Sequence, residues 1–302
     1  MRVTKILRNA VLLGAACVAA RGAGAGGGSA CEFPPCRPFG TAQVPGTEDQ
    51  WPVALVIPCD DPAGHCPPIH PGFILPTYED PAALVPFIPE LAGPDARVFA
   101  GHSGLPLADP SPLQARRDSQ GWVLFDTDQS GFGQGTRLHF VGSTHFGERL
   151  ILVQSSPASP LMDPAIDQRA DAIVMAAPMG PAVGRAAALG VWNEGSTWWA
   201  YNEDGTKLPA GERLLYFDAA AKGGRATHVA ANDFGGIGIV LDDPRLNGKP
   251  DKVVIAQHVF KQVRNTSPLA TFYDQGQARW IVYNADGSQL ALDETVHFIV
   301  GP

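Results

Sequence analysis

The chain has 302 residues, of which 45% are hydrophobic and only 17% are charged, and its net charge is −8. An acidic chain without a basic stripe is poorly suited to nucleic acid, because binding to phosphate backbones depends on Lys and Arg. The 34 Gly and 28 Pro residues indicate many turns and favour a β-rich fold. The length is sufficient for two or three small domains.

Residues 1–30 are predicted to be an export leader. A positively charged start is followed by an apolar stretch over residues 10–20 and then by small residues. The apolar stretch is shorter than the roughly 20 residues that a membrane span needs, and no other segment of the sequence qualifies. We therefore predict a bacterial protein that is secreted or held in the cell envelope, in the periplasm or at the outer surface, without a transmembrane segment in the mature chain.

The segment that ends at Cys17, Leu-Gly-Ala-Ala-Cys, resembles the lipobox of bacterial lipoproteins. Gly14 occupies the position, three residues before the cysteine, where an apolar residue is usual. Both a lipid anchor at Cys17 and a free secreted form remain open, and the sequence favours the free form.

Residues 31–68 are predicted to be a Cys- and Pro-rich arm that leads into the first of three modules. The arm contains the other four cysteines, which are Cys31, Cys36, Cys59 and Cys66. An even number of cysteines in an exported chain indicates disulfides, and the spacing favours Cys31–Cys36 and Cys59–Cys66 among three pairings. Zinc is the alternative, although the gap between Cys31 and Cys36 is wide for a pair of zinc ligands.

Two sequence blocks each occur three times and define the modules. A Trp-x-x-aromatic-Asx-x-Asp motif begins at residues that are 76 and 82 positions apart, namely Trp122, Trp198 and Trp280. An Asp-led block precedes it by 27, 27 and 29 residues, at Asp95, Asp171 and Asp251. Two blocks that keep nearly the same offset predict three tandem modules, over residues 69–142, 143–226 and 227–302.

The periodicity within each module is that of β-strands. Short apolar or alternating runs are bounded by Gly, Pro, Asn or Asp, and no long stretch has helical spacing. We therefore predict an all-β protein of three tandem antiparallel modules, each a small barrel or sandwich of about five strands. The repeats are long for a β-trefoil. Asn202–Gly205 and Asn284–Gly287 are predicted to form hairpin turns, because Asn, Asp and Gly tolerate positive φ.

The repeat resembles an uncharacterised tandem β-repeat module, a domain of unknown function, of secreted bacterial proteins. The resemblance rests on an Asx-Ala-Ile-Val strand, a Gly-Val-Trp strand and a Trp-x-Ile-Phe-Asn-x-Asp strand, matched best at residues 170–176, 189–192 and 198–204. Module three matches at 251–256, 272–273 and 280–286. Module one matches least well, since it has no aromatic residue between Pro112 and Gly121. The resemblance implies an architecture but no activity.

Seven of the eight histidines fall at equivalent positions of the repeats. Four of them could form a zinc or copper site. His102 and His258 end the strand of the Asp-led block, and His139 and His297 lie in the closing strand of their modules. Neutral imidazoles that converge from several strands are what such a site needs. The alternative is that these histidines are structural and bond to the backbone, because repeats copy structural residues as faithfully as ligands, and this alternative is favoured. We therefore expect no cofactor.

The repeated Trp are predicted to be core residues, whereas Trp199 follows Trp198 on the same strand and should face the opposite side. Val123 and Ile281 occupy the equivalent positions, so the extra aromatic belongs to module two alone. Trp199 is either a larger core residue or, together with Trp192 on a neighbouring strand, a platform on which a sugar ring stacks.

The function favoured by the sequence is non-catalytic recognition of a glycan or a protein partner outside the cell. No Gly-x-Ser-x-Gly elbow or other catalytic motif occurs, so no catalytic residue is assigned. A metal-binding protein or metal-dependent enzyme that uses the repeat histidines is the alternative, and a structural envelope component is a second one.

We expect no free thiol at the four arm cysteines of the exported protein. An unstrained disulfide limits the unfolded chain and adds about 2–4 kcal/mol to the free energy of unfolding. Mass spectrometry after alkylation without reductant tests this, and a fully reduced sample is the control. Label on any of the four cysteines in the unreduced sample contradicts the prediction.

Overall fold

The fold is known from a computed structural model. It describes residues 55–56, 70–74, 82–85, 88–104, 111–119, 121–128, 132, 137–143, 146–150, 156–179, 188–219, 222–261 and 264–301. The predicted leader, Cys17 and the four arm cysteines lie outside the described residues. Within these ranges the chain is all-β, and no helix is long and apolar enough to cross a membrane.

Within the described residues each module has six strands, one more than the sequence pattern indicated. A short strand, β1 (Leu55–Val56), comes first. Module one contains β2 (His70–Ile74), β3 (Ala82–Leu84), β4 (Arg97–Ser103), β5 (Leu113–Arg117), β6 (Trp122–Asp126) and β7 (Arg137–Ser143). Module two contains β8 (Gly147–Leu150), β9 (Ala158–Pro160), β10 (Val174–Met179), β11 (Leu189–Glu194), β12 (Thr197–Asn202) and β13 (Arg213–Asp218). Module three contains β14 (Gly223–Thr227), β15 (Gly238–Leu241), β16 (Val254–Val259), β17 (Leu269–Asp274), β18 (Arg279–Asn284) and β19 (Thr295–Val300). Short 3-10 segments occur at Pro89–Leu91 and Ala230–Asn232.

The same antiparallel pairing recurs in all three modules. The first and third strands of a module pair with its sixth strand, and the second and fourth pair with its fifth. Each module is therefore a sandwich of two three-stranded half-sheets, and none of the sheets formed by the described residues closes into a barrel.

The modules are joined to one another by parallel pairs of strands. The third strand of each module lies beside the fourth strand of another, in the pairs β10–β5, β16–β11 and β4–β17. The register is equivalent in all three pairs, since Met179 lies opposite Ala115, Val259 opposite Val191 and Ser103 opposite Thr271. Half-sheets of neighbouring modules thereby merge into three larger sheets, in the orders β1-β2-β7-β4-β17-β18-β15, β3-β6-β5-β10-β13-β8 and β14-β19-β16-β11-β12-β9. The three modules form a closed cycle with pseudo-threefold symmetry.

The repeated Trp residues are the centres of the module cores, as predicted. Trp122, Trp198 and Trp280 are 6%, 1% and 1% exposed and belong to three separate apolar clusters. Each indole nitrogen donates a hydrogen bond to a backbone carbonyl about 30 residues upstream, and the acceptors are Leu91, Arg169 and Lys249. The three modules therefore share this buried hydrogen bond as well as their strand pairing.

A fourth apolar cluster lies where the modules meet. It receives the same two positions from every module, at Phe99, Met175 and Ile255 in the third strands and at Val141, Phe217 and Ile299 in the sixth strands. Because side chains alternate along a strand, the neighbouring positions point into the core of their own module. Each of these strands therefore packs on both faces.

The predicted hairpin turns form, but they do not close hairpins. Gly205 and Gly287 have φ of 75° and 76° and donate hydrogen bonds to the carbonyls of Asn202 and Asn284. The strands on either side of each turn lie in different half-sheets, since β12 pairs with β11 whereas β13 pairs with β10. The turn thus carries the chain from one layer of the sandwich to the other.

We expect Trp198→Ala to lower the free energy of unfolding by about 3–5 kcal/mol, because it opens a cavity in a closed core and removes the indole hydrogen bond to the Arg169 carbonyl. Urea unfolding followed by circular dichroism measures the loss. Leu292→Ala is the control, since Leu292 is 59% exposed. A loss below about 1 kcal/mol for Trp198→Ala would contradict the core assignment.

Candidate functional site

Two tryptophan rings of module two lie parallel to one another on one face of the β11–β12 hairpin. Trp192 and Trp199 are directly opposite residues of the two strands. Their ring centroids are 5.4 Å apart and their planes differ by 9°. Both side chains are partly exposed, whereas Trp198 between them in sequence points into the module core. The predicted pairing and the predicted alternation are therefore both present.

The pair belongs to an apolar row that crosses four neighbouring strands. Phe260, the residue after β16, donates its backbone N–H to Val191 and has its ring 6.3 Å from that of Trp192. On the other side, Pro160 of the edge strand β9 lies opposite Trp199. We call Phe260, Trp192, Trp199 and Pro160 the aromatic row. Each member of the row is partly exposed.

The equivalent positions of the other modules carry different chemistry. In module one the pair is Arg116 and Val123, and the Arg116 guanidinium lies over the ring of Phe125. In module three the pair is Phe272 and Ile281, which are buried in a small apolar cluster that also contains Phe234. Among the described residues, two partly exposed tryptophans therefore meet in this way only in module two.

A buried polar network lies beside the aromatic row. Tyr201 packs edge-on against both Trp192 and Phe260 and donates its hydroxyl proton to Glu203, 2.6 Å away. The same Glu203 oxygen is 2.5 Å from Nδ1 of His258. Burial, reinforced by the Glu203 carboxylate, raises the pKa of Tyr201, so its hydroxyl keeps its proton and acts as a donor.

The network continues from module two into module three. Asn265 donates its backbone N–H to the second oxygen of Glu203 and its side-chain N–H to Glu294. Glu294 lies 3.5 Å from Nε2 of His258, so the imidazole is placed between two buried carboxyl groups. Burial raises the pKa of Glu294, while His258 and Asn265 act in the opposite direction.

This network is specific to one of the three module junctions. The positions of Tyr201, Glu203 and His258 are occupied at the other junctions by Tyr283, Ala285 and His102 and by Phe125, Thr127 and Pro178. The junction of modules two and three thus has both the buried carboxyl–imidazole pair and the aromatic row. Glu203, Tyr201 and Phe260 did not emerge from the sequence, although a comparison of the repeats position by position would have singled out Glu203.

A cavity of about 80 Å³ lies where the three modules converge. Every module contributes the end of its third strand and the start of its fourth, which includes Pro112–Leu113, Ala188–Leu189 and Pro268–Leu269. His102 and His258 both line the cavity, together with Glu203 and Asn265. The polar groups at this cavity come mainly from the junction of modules two and three.

The histidines predicted as metal ligands each bond to protein atoms. His102 Nε2 is 2.7 Å from the Ser111 carbonyl oxygen, and His258 bonds to the carboxylate of Glu203. His139 Nδ1 is 2.8 Å from the carbonyl oxygen of Val254. Within the described ranges, no three His, Cys, Asp or Glu side chains are grouped as metal ligands. Zinc or copper binding was the less favoured interpretation of these histidines, and the contacts correspond to the favoured, structural one; the expectation of no cofactor stays a prediction.

His139 and His297 connect neighbouring modules. His297 Nδ1 donates to the carbonyl of Val174 in module two, and its Nε2 accepts from Arg225. This pair of bonds fixes the neutral tautomer. Its ring also packs against Trp198, as that of His139 packs against Trp280. Burial lowers the pKa of both imidazoles to about 4, which keeps them neutral at physiological pH.

One comparison with known families matches part of the chain. Residues 213–300 are similar to a family described as a domain of unknown function, DUF7452. The matched segment runs from β13 to the end of β19, so it covers module three and the last strand of module two. No curated protein and no solved structure matches the chain.

We expect the two buried histidines to destabilise the fold in acid. Their pKa is about 4 when folded and about 6.5 when unfolded, so the unfolded state binds protons first as the pH falls. Each histidine should contribute a loss of about 3 kcal/mol in the free energy of unfolding between pH 6.5 and pH 4.

His297→Leu tests this prediction, because Leu215 occupies the equivalent position of module two. Urea unfolding at several pH values should give a smaller loss of stability between pH 6.5 and pH 4 for the variant than for the parent chain. Parallel pH profiles for the two proteins would show that His297 is not the titrating group.

Proposed function

We propose that this protein is an exported, non-catalytic recognition protein of the bacterial cell envelope or exterior, and that module two binds a carbohydrate at the aromatic row. The observation that carries the proposal is the partly exposed pair Trp192 and Trp199, whose rings stack on one another and leave the outer surface of the pair to a ligand. A flat aromatic ring stacks on the apolar face of a pyranose, while the sugar hydroxyls remain available for hydrogen bonds.

The absence of an equivalent pair in the other modules supports this proposal. Packing in modules one and three is satisfied by Val123 and Ile281 at the position of Trp199. A ring that two of three copies replace by an aliphatic side chain is not required by the fold. Trp199 is therefore available to a ligand in a way that Trp122, Trp198 and Trp280 are not.

The buried network supports recognition by holding the row in place. Tyr201 packs against Trp192 and Phe260, and its hydroxyl is fixed by Glu203. Side chains that are ordered before binding lose less conformational entropy when the ligand arrives, which favours affinity. Glu203 and His258 are 1% and 4% exposed and bond to one another, so we assign them to support and not to catalysis.

The sequence features that favour export agree with this assignment. The leader-like residues 1–30 and the paired cysteines of the arm are typical of proteins that work outside the cytoplasm. Polysaccharides of the envelope or the exterior are present there and could bind to the aromatic row by stacking.

Trp199→Val is expected to weaken glycan binding by about tenfold or more, because it removes one of the two partly exposed indole rings. The parent protein and the variant are compared on a glycan array and by pull-down with insoluble polysaccharides. Trp199→Phe keeps a ring and should retain part of the binding.

Leu292→Ala is the matched control, since it removes a similarly apolar exposed side chain outside the row. The Trp199→Val fold is checked by urea unfolding, and we expect a stability close to that of the parent, as Val123 serves the same position in module one. Loss of folding in Trp199→Val, or unchanged binding of every glycan that the parent retains, would refute the proposed function.

A further inference from the structure

The aromatic row is longer than one sugar ring. Its four members come from four neighbouring strands, in the order β16, β11, β12 and β9. Neighbouring strands are about 4.8 Å apart, which is close to the length that one pyranose unit adds to an extended glycan. The row from Phe260 to Pro160 therefore spans about three such units, and it runs across the strands instead of along them.

The polar side chains that border the row are suited to hydroxyl groups. Side chains two residues apart on a strand lie on the same face, so Glu194 lies beside Trp192 and Thr197 lies beside Trp199. Glu194 and Thr197 are also paired with one another across the hairpin. Glu194 is exposed and Thr197 is partly exposed. A carboxylate accepts hydrogen bonds from sugar hydroxyls, and a threonine hydroxyl can both donate and accept.

The charge of the face separates neutral from acidic ligands. On the other side of the row, the same-face positions are Gly190, Tyr201 and Ala158, so Glu194 is the exposed charged residue on this face of β9, β11 and β12, whereas Lys261 follows Phe260 at the β16 end. The whole chain also has a net charge of −8. A polyanionic glycan would meet like charge at Glu194 and across the protein.

Gly190 is required for this surface to form. A Cβ at this position would overlap the ring of Tyr201 and the carboxylate of Glu203. Without a side chain at Gly190, Tyr201 lies against the strand and supports Trp192 and Phe260 from below. Gly190 and Tyr201 of module two thus position Trp192 beside Phe260 of module three, and the row extends across the junction between these two modules.

We propose that the ligand of this site is an uncharged oligosaccharide chain of about three or more units, which lies across the strands from Phe260 to Pro160 with its hydroxyls bonded to Glu194 and Thr197. This inference rests on the proposed function and adds the size, direction and charge of the ligand. Phe260 belongs to module three, so one ligand contacts two modules at once.

Isothermal titration calorimetry with ligands of increasing length tests the inference on the full chain. The neutral probes are glucose through cellohexaose and N-acetylglucosamine through chitohexaose, and the acidic probes are galacturonic acid through its hexamer. Affinity for a neutral series should rise by about tenfold or more from the monosaccharide to the trisaccharide and then level off. Acidic probes of the same length should bind more weakly.

Phe260→Ala separates length recognition from stacking at a single ring. This variant should lose the gain between the disaccharide and the trisaccharide and should lower the affinity for shorter probes by a smaller factor, whereas Leu292→Ala should match the parent. Glu194→Gln should narrow the difference between neutral and acidic probes, because it keeps hydrogen bonding and removes the charge.

The outcomes distinguish the inference from the proposed function. Equal affinity for monosaccharide and trisaccharide, or tighter binding of the acidic series, would overturn the inference while a Trp199-dependent interaction still supports the proposed function. If neither series binds and Trp199→Val changes no signal on the glycan array, both are refuted.

Discussion

The fold depends on the contacts that the strand ends of each module make with another module. At each junction the end of a third strand pairs, over one or two residues, with the start of a fourth strand of another module, in the parallel pairs β10–β5, β16–β11 and β4–β17. Unpaired backbone N–H and C=O groups at a sheet edge are costly when buried, and they invite association when exposed. The cycle of three modules gives these strand ends a partner at every junction.

The cycle also explains how three similar junctions can differ in chemistry. The shared core of Phe99, Met175, Ile255 and their partners maintains the symmetry, and side chains at the rim of each junction are not constrained by it. One junction uses this freedom for a buried carboxyl–imidazole pair and an aromatic row. The other two keep simpler contacts, such as Pro178 or the bond from Tyr283 to the carbonyl of Gly104. Symmetry is retained where packing demands it and lost where recognition is proposed.

The sequence predicted the features that local pattern controls. Alternation along a strand was sufficient to separate Trp198 from Trp199, and recurrence was sufficient to identify the buried Trp. The cyclic arrangement could not be predicted, because each parallel contact, such as that between His102 and Ala270, joins strands far apart in the chain. For the same reason the contacts of Glu203 with His258 were not apparent, and the sequence favoured backbone bonds for the repeat histidines without showing that His139 and His297 bond to other modules.

The contact between β4 and β17 joins the first module to the last and therefore affects how the chain folds. When synthesis proceeds from the N-terminus, the end of β4 lacks its partner strand β17 until nearly the whole polypeptide has been made. Contacts of such long sequence separation slow folding, since the loop entropy is lost before the contact is gained. A partly made chain should therefore be vulnerable to aggregation at this strand, and the modules are expected to acquire their native order together and not one after another.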